Sequence, residues 1–145
     1  MPMLALDVNV LVSAFRTDAP DHEAMRDWLE RSVNSPEPVG VSDAVLAAAV
    51  RILTHPRVFA PRTPLETALR ETTRLRDHPG VVTLVPGARH WDVFVRLCRS
   101  ADVRGNLVTD AQHAAVAVEH GATWISKDRD FARFPELRWR HPLES

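Results

Sequence analysis

The chain has 145 residues, 45% hydrophobic and 26% charged, which excludes disorder as an overall description and leaves room for one core, a single domain over residues 1–145. Its net charge of −1 selects no partner, and its one cysteine, Cys98, excludes an internal disulfide framework and a cysteine zinc site. Met1-Pro2-Met3 leads into an apolar run closed by Asp7, with no basic leader and no stretch of about 18 apolar residues, so a cytoplasmic protein without membrane contact is expected.

Leu4-Ala5-Leu6 reads as a short buried strand, and the apolar stretch from Val8 to Phe15 as a helix. Ala24, Met25, Trp28 and Leu29 then recur at helical spacing, with Asp21, Glu23, Arg26 and Asp27 on the polar side. Pro36 and Pro38 break that helix, Val39-Gly40-Val41 is a strand candidate, and Ser42 is placed to cap a helix through Val45, Ala49 and Ile52. His55-Pro56 stops it. Thr63-Pro64-Leu65-Glu66 has the form of a capping box with proline at the first helical position. Val81-Val82-Thr83-Leu84-Val85 is a β-branched run closed by Pro86-Gly87, and Trp91, Phe94, Val95 and Cys98 mark another helix. Thr109-Asp110-Ala111-Gln112 reads as a second capping box, opening a helix that ends near Gly121; Thr123-Trp124-Ile125 follows as a strand, and a last one is expected at residues 137–139. Strands separated by helices predict a three-layer α/β fold around a mostly parallel sheet.

In such a sheet ligands bind beyond the carboxyl ends of the strands, where Asp7 and Asp128 fall, and Asp110 approaches from a helix start. Each acid also has an ordinary structural explanation: Asp7 as a helix cap, Asp110 as a complement to a helix dipole, Asp128 and Asp130 as turn formers. Two carboxylates about 4 Å apart repel by about 4 kcal/mol at an effective dielectric of 20, so gathering several needs a compensating cation. Oxygen-only ligands suit Mg²⁺, with Mn²⁺ the alternative, and the chemistry implied is phosphodiester hydrolysis. Positive charge is carried almost wholly by arginine, Lys127 being the only lysine; Arg16, Arg51, Arg57, Arg104, Arg129 and Arg133 are candidates for phosphate contact, a solvated or ion-paired role being the ordinary one for each. No histidines form a metal-spaced pair, and neither Ser13 nor Cys98 has a base beside it in sequence.

The opening Leu-Asp-Val-Asn, the block Thr-Asp-Ala-Gln-His-Ala-Ala-Val-Ala-Val-Glu-His-Gly-Ala-Thr from Thr109, and Ser-Lys-Asp-Arg-Asp-Phe from Ser126 resemble the PIN domain. More narrowly they resemble its VapC toxins, over nearly the whole length. The resemblance implies a Mg²⁺-dependent endoribonuclease acting on structured RNA such as tRNA or ribosomal RNA, dimeric and inhibited by a small VapB-type antitoxin. It makes Asp7, Asp110 and Asp128 the metal-binding and catalytic acids, Asp130 a further metal acid, and Asn9 and Ser126 supporting residues. One departure stands out. The glutamate common on the second strand's following helix is Ala48 here, and Asp43, about 140° around the helix, is a poor substitute. Two readings follow, an active ribonuclease toxin or a PIN-fold protein that keeps RNA or antitoxin binding with weakened catalysis. A phosphoacceptor receiver domain is remote, because the run ending at Val85 is followed by Pro86-Gly87 rather than an acid.

Overall fold

In the computed structural model, which describes residues 3–144, a five-stranded parallel sheet has the order β3-β2-β1-β4-β5. The strands are β1 (Leu4–Leu6), β2 (Val39–Ser42), β3 (Val81–Leu84), β4 (Thr123–Ile125) and β5 (Trp139–Arg140). Between them run helices α1 (Val8–Phe15), α2 (His22–Val33), α3 (Asp43–Leu53), α4 (Leu65–Arg76), α5 (His90–Ala101) and α6 (Leu107–Glu119). Helices α1 to α4 pack as one chain of neighbours and α5 against α6, giving the three-layer α/β/α arrangement.

The central strands are short apolar runs because both faces are covered; every residue of β1 and β2 is buried. All strands point the same way, so their carboxyl ends share one edge. That edge receives Asp7 after β1, Asp43 after β2 and Ser126 after β4. Ser42 caps α3 as its position predicts, its Oγ accepting from the Val45 amide at 3.1 Å.

Three local expectations differ from the structure. At α4 the capping residue is Pro64, with no side-chain cap bond, because the Thr63 hydroxyl accepts from Arg16 Nη1 instead. The Arg16 guanidinium is held there by Asp18, by the Pro61 carbonyl and over the Phe59 ring, 4.2 Å from its centroid. At α6 the helix starts at Leu107, three residues before Asp110, where the Thr109 box would begin it. Gly105, with φ +57°, turns the chain into the left-handed region and lets Leu107 and Val108 bond back to Arg104 and Gly105, so helix forms early. Asp110 therefore lies in the first turn but not at the first position. The last strand is Trp139–Arg140 rather than residues 137–139, Leu137 being turned back by its amide bond to the Phe134 carbonyl.

Gly40 is where β2 meets β3 most closely: a Cβ there would lie 2.7 Å from Leu84 Cδ1 and 2.8 Å from Met3 Sδ. Gly40→Ala is expected to lower stability by about 1–3 kcal/mol through overpacking, seen as a lower urea midpoint at unchanged slope. An unchanged midpoint would mean that Leu84 and Met3 move aside freely.

Candidate active site

Asp7 is the cap of α1, and its two oxygens take different partners. Leaving β1 in an extended conformation, it accepts from the Val8 amide on Oδ1 at 2.6 Å. Its Oδ2 accepts from the Ser126 hydroxyl at 2.6 Å and from Asn9 Nδ2 at 3.4 Å. Ser126 is fully buried, and its oxygen also accepts from Asn9 Nδ2 at 3.1 Å and from the Asp128 amide at 3.0 Å. Asn9 Oδ1 in turn accepts from the Lys127 amide at 3.1 Å. Asn9 and Ser126 thus tie Asp7 to the loop after β4. Asp128, half-buried, caps the short 3-10 helix Arg129–Arg133, its Oδ1 accepting from the Asp130 amide at 2.9 Å.

Burial pushes the Asp7 carboxyl up to about 6; the Ser126 and Val8 bonds oppose the rise and the charge of Asp128 adds to it. Asp110, half-buried, is raised by burial, then by the charges of Asp128 and Asp7, with His113 and Arg133 opposing. Asp7, Asp110 and Asp128 therefore share one electrostatic site. Asp130 does not join them: it is exposed and faces Arg133 at 3.6 Å. Asp43 is committed elsewhere, its carboxylate bound to Arg76 Nε at 2.8 Å and held below the usual carboxylate range by that partner. With Ala48 half-buried on the same helix, α3 adds no free carboxylate.

Among the described residues no three His, Cys, Asp or Glu side chains are already drawn together as a metal cage. The donor set is all oxygen, which fits a hard cation that keeps water ligands and takes one or two carboxylates.

A further element was not foreseen. The Lys127 ammonium reaches Ser13 Oγ at 2.6 Å and Asp21 Oδ2 at 2.9 Å, latching the acid-bearing loop to α1 and to the start of α2. The available signal was the position of the chain's only lysine between Ser126 and Asp128. Of the arginines, Arg16 is structural, and Arg104, Arg129 and Arg133 pair with Asp102, Glu144 and Asp130; among the described residues Arg51 and Arg57 have no such partner. His113 is buried and stacks on Trp124, and burial lowers its pKa, keeping the ring neutral.

A PIN domain family model matches residues 4–137. Ribonuclease VapC43 of Mycobacterium tuberculosis is 47% identical over 142 residues, covering 98% of this chain and 97% of the relative. Ribonuclease VapC25 of the same organism is 37% identical, covering 97% and 99%. Among solved structures, VapBC2 from Rickettsia felis bound to a promoter DNA fragment superposes with a TM-score of 0.71 at 18% identity, covering 96% of this chain and 98% of that one. Mycobacterium tuberculosis VapC20, a sarcin–ricin loop cleaving toxin, gives 0.68 at 19% identity, covering 93% and 98%.

A carboxyl raised on folding favours the folded state at low pH, and that contribution is lost as pH rises from 3.8 through about 6. A rise of about two units corresponds to roughly 3 kcal/mol against the folded state at neutral pH. Without divalent ions, Asp7→Asn is expected to recover about 1–2 kcal/mol at pH 7.5, part being forfeited with one acceptor. The decline of Tm between pH 4 and 6 should flatten as well. A destabilised variant with an unchanged pH slope would show that Asp7 is not strained by its burial.

Proposed function

The chain belongs to the PIN domain family and, within it, to the VapC ribonucleases, and we propose that it is the toxin of a type II toxin–antitoxin pair. In this reading it is an endoribonuclease that hydrolyses phosphodiester bonds of structured RNA, tRNA or rRNA, with Mg²⁺ or Mn²⁺ as cofactor. The observation that carries it is the placement of Asp7 after β1, Asp110 in the first turn of α6 and Asp128 after β4, with the charge of Asp128 acting on Asp7 and Asp110 and that of Asp7 on Asp110. The relatives named as ribonucleases support the same chemistry.

Asp7, Asp110 and Asp128 would hold the cation, with Asp130 at the rim. A cation bound there supplies positive charge to polarise a phosphoryl oxygen and acidify a water. Ser126 and Asn9 keep the Asp7 Oδ2 edge in one orientation, and Lys127 keeps the loop of Asp128 against α1. Burial and the charges of Asp128 and Asp7 raise the Asp110 carboxyl, and a bound cation would relieve that repulsion. No side chain becomes attached to the substrate.

The reading includes a VapB-type antitoxin, a homodimer and a cytoplasmic location. A cavity of about 510 Å³ between α1, α2 and α4 suits an amphipathic antitoxin segment. Ala14, Phe15, Leu29 and Leu75 give it apolar walls, and Arg26 and Glu71 add both signs of charge. Trp28 packs beside the core, outside that cavity, and Met25 is fully buried. The second reading, weakened catalysis, is favoured by Ala48 and by the pairing of Asp43 with Arg76.

Purified free of partners and incubated with total RNA, the protein is expected to make metal-dependent cuts at defined ends. Asp7→Asn, Asp110→Asn or Asp128→Asn should slow them by roughly 10²–10⁴-fold; wild-type cutting by any of these variants would remove that residue from the site. Ala48→Glu decides between the readings. A large gain marks a depleted site, whereas an unchanged rate means the three aspartates suffice.

A further inference from the structure

A second cavity, of about 130 Å³, opens between the carboxyl ends of β2 and β3, the starts of α3 and α5, and the second and third turns of α6. Leu84, Val85 and Val116 give it apolar walls, and His90, Gln112 and His113 bring polar groups to it. His113 follows Asp110 by three residues and shares its face of α6, so the cavity adjoins the acidic edge. His90 Nδ1 is buried with no hydrogen-bond partner among the described residues, an uncompensated polar atom on a ring that lines the cavity.

The two imidazoles are braced from behind. His90 stacks on Phe94 with centroids 6.5 Å apart, and His113 stacks on Trp124 at 6.1 Å. Rings so held stay aimed without a ligand, the preorganisation a recognition site needs.

Charge and size narrow the occupant. No lysine or arginine lines the cavity and Asp43 sits on its wall, which disfavours a phosphate. Its volume is below the roughly 300–1,000 Å³ of a cofactor pocket and equals about four waters of liquid volume, room for a single planar ring system. Apolar walls with a few donors and acceptors match the way RNA is read, by unstacked bases that pack on flat side chains and bond along their edges.

We propose that this cavity is a nucleobase subsite, in which His90, Gln112 and His113 receive one unstacked base of the RNA beside the acidic edge. The assignment rests on the ribonuclease reading, and its role there is specificity: it selects which nucleotide sits next to the cut. The Gln112 amide meets the base edge, and the His90 ring and the apolar walls take its faces.

The test titrates the full-length protein with adenosine, guanosine, cytidine and uridine, following the imidazole NMR signals. One nucleoside is expected to move the His90 and His113 signals at millimolar concentration, and to leave His55 and His141 in place. Ala44→Phe fills the cavity from an exposed position on α3, and Gln112→Ala removes an exposed amide. Both should abolish those shifts and, in RNA cleavage, raise KM roughly tenfold with kcat retained while relaxing the base preference beside the cut. Unmoved His90 and His113 signals with all four nucleosides would overturn the subsite, as would an unchanged base preference in both variants. If Ala44→Phe fails to fold, Gln112→Ala carries the test alone. If the wild-type protein cuts no RNA, the ribonuclease reading falls, and the nucleoside titration still decides the pocket.

Discussion

The Ser126 hydroxyl donating to Asp7 Oδ2 joins the carboxyl ends of the neighbouring strands β1 and β4. Beside it the Asp7 amide bonds to the Ile125 carbonyl at 3.0 Å, the last rung of the parallel ladder. A hydrogen bond to a charged group contributes about 1.5–3 kcal/mol, enough to anchor the carboxylate but not enough to offset the loss of water around it. Burial is the larger influence on Asp7, which is why its carboxyl lies near 6 despite three donors. The site is thus fixed in shape and deficient in positive charge. Everything else at the edge, from the amide of Asp128 to the carboxamide of Asn9, is organised around that one hydroxyl.

The structural and chemical explanations of the acids prove compatible. Asp7 spends Oδ1 on the start of α1, and Asp128 spends Oδ1 on the 3-10 helix. A carboxylate has two oxygens and several lone pairs, so capping leaves acceptor capacity over. Placing an acid at a helix start fixes its backbone and its rotamer together, so it is held in place before any ligand arrives. Asp130 lacks this arrangement. One residue past the start of the 3-10 helix, it projects into solvent towards Arg133.

Much of this was legible in the sequence because strand signals and strand ends are local. Apolar β-branched runs closed by Asp7, Ser42, Pro86 and Ser126 gave the strands, and parallel order placed their ends together. What the sequence did not disclose depends on distant partners. The Thr63 box fails because Arg16, 47 residues away, claims its hydroxyl. The Thr109 box fails because the turn at Gly105 nucleates helix first. The fate of Asp43 is decided by Arg76 on the neighbouring helix, 33 residues on, and the Lys127 latch by Asp21 and Ser13, more than a hundred residues earlier. Pairings of that range leave no periodic trace.

Lys127 is the only lysine in the chain, and it lies between the serine that holds one acid and another acid of the same edge. Apart from the amino terminus, amine-directed chemistry therefore has a single address in this molecule, and that address is a partly buried ion pair that fastens three elements. Attaching the protein to a surface or a dye through lysine would use the acidic edge itself as the handle. A tether placed through Cys98 on α5 leaves that latch untouched.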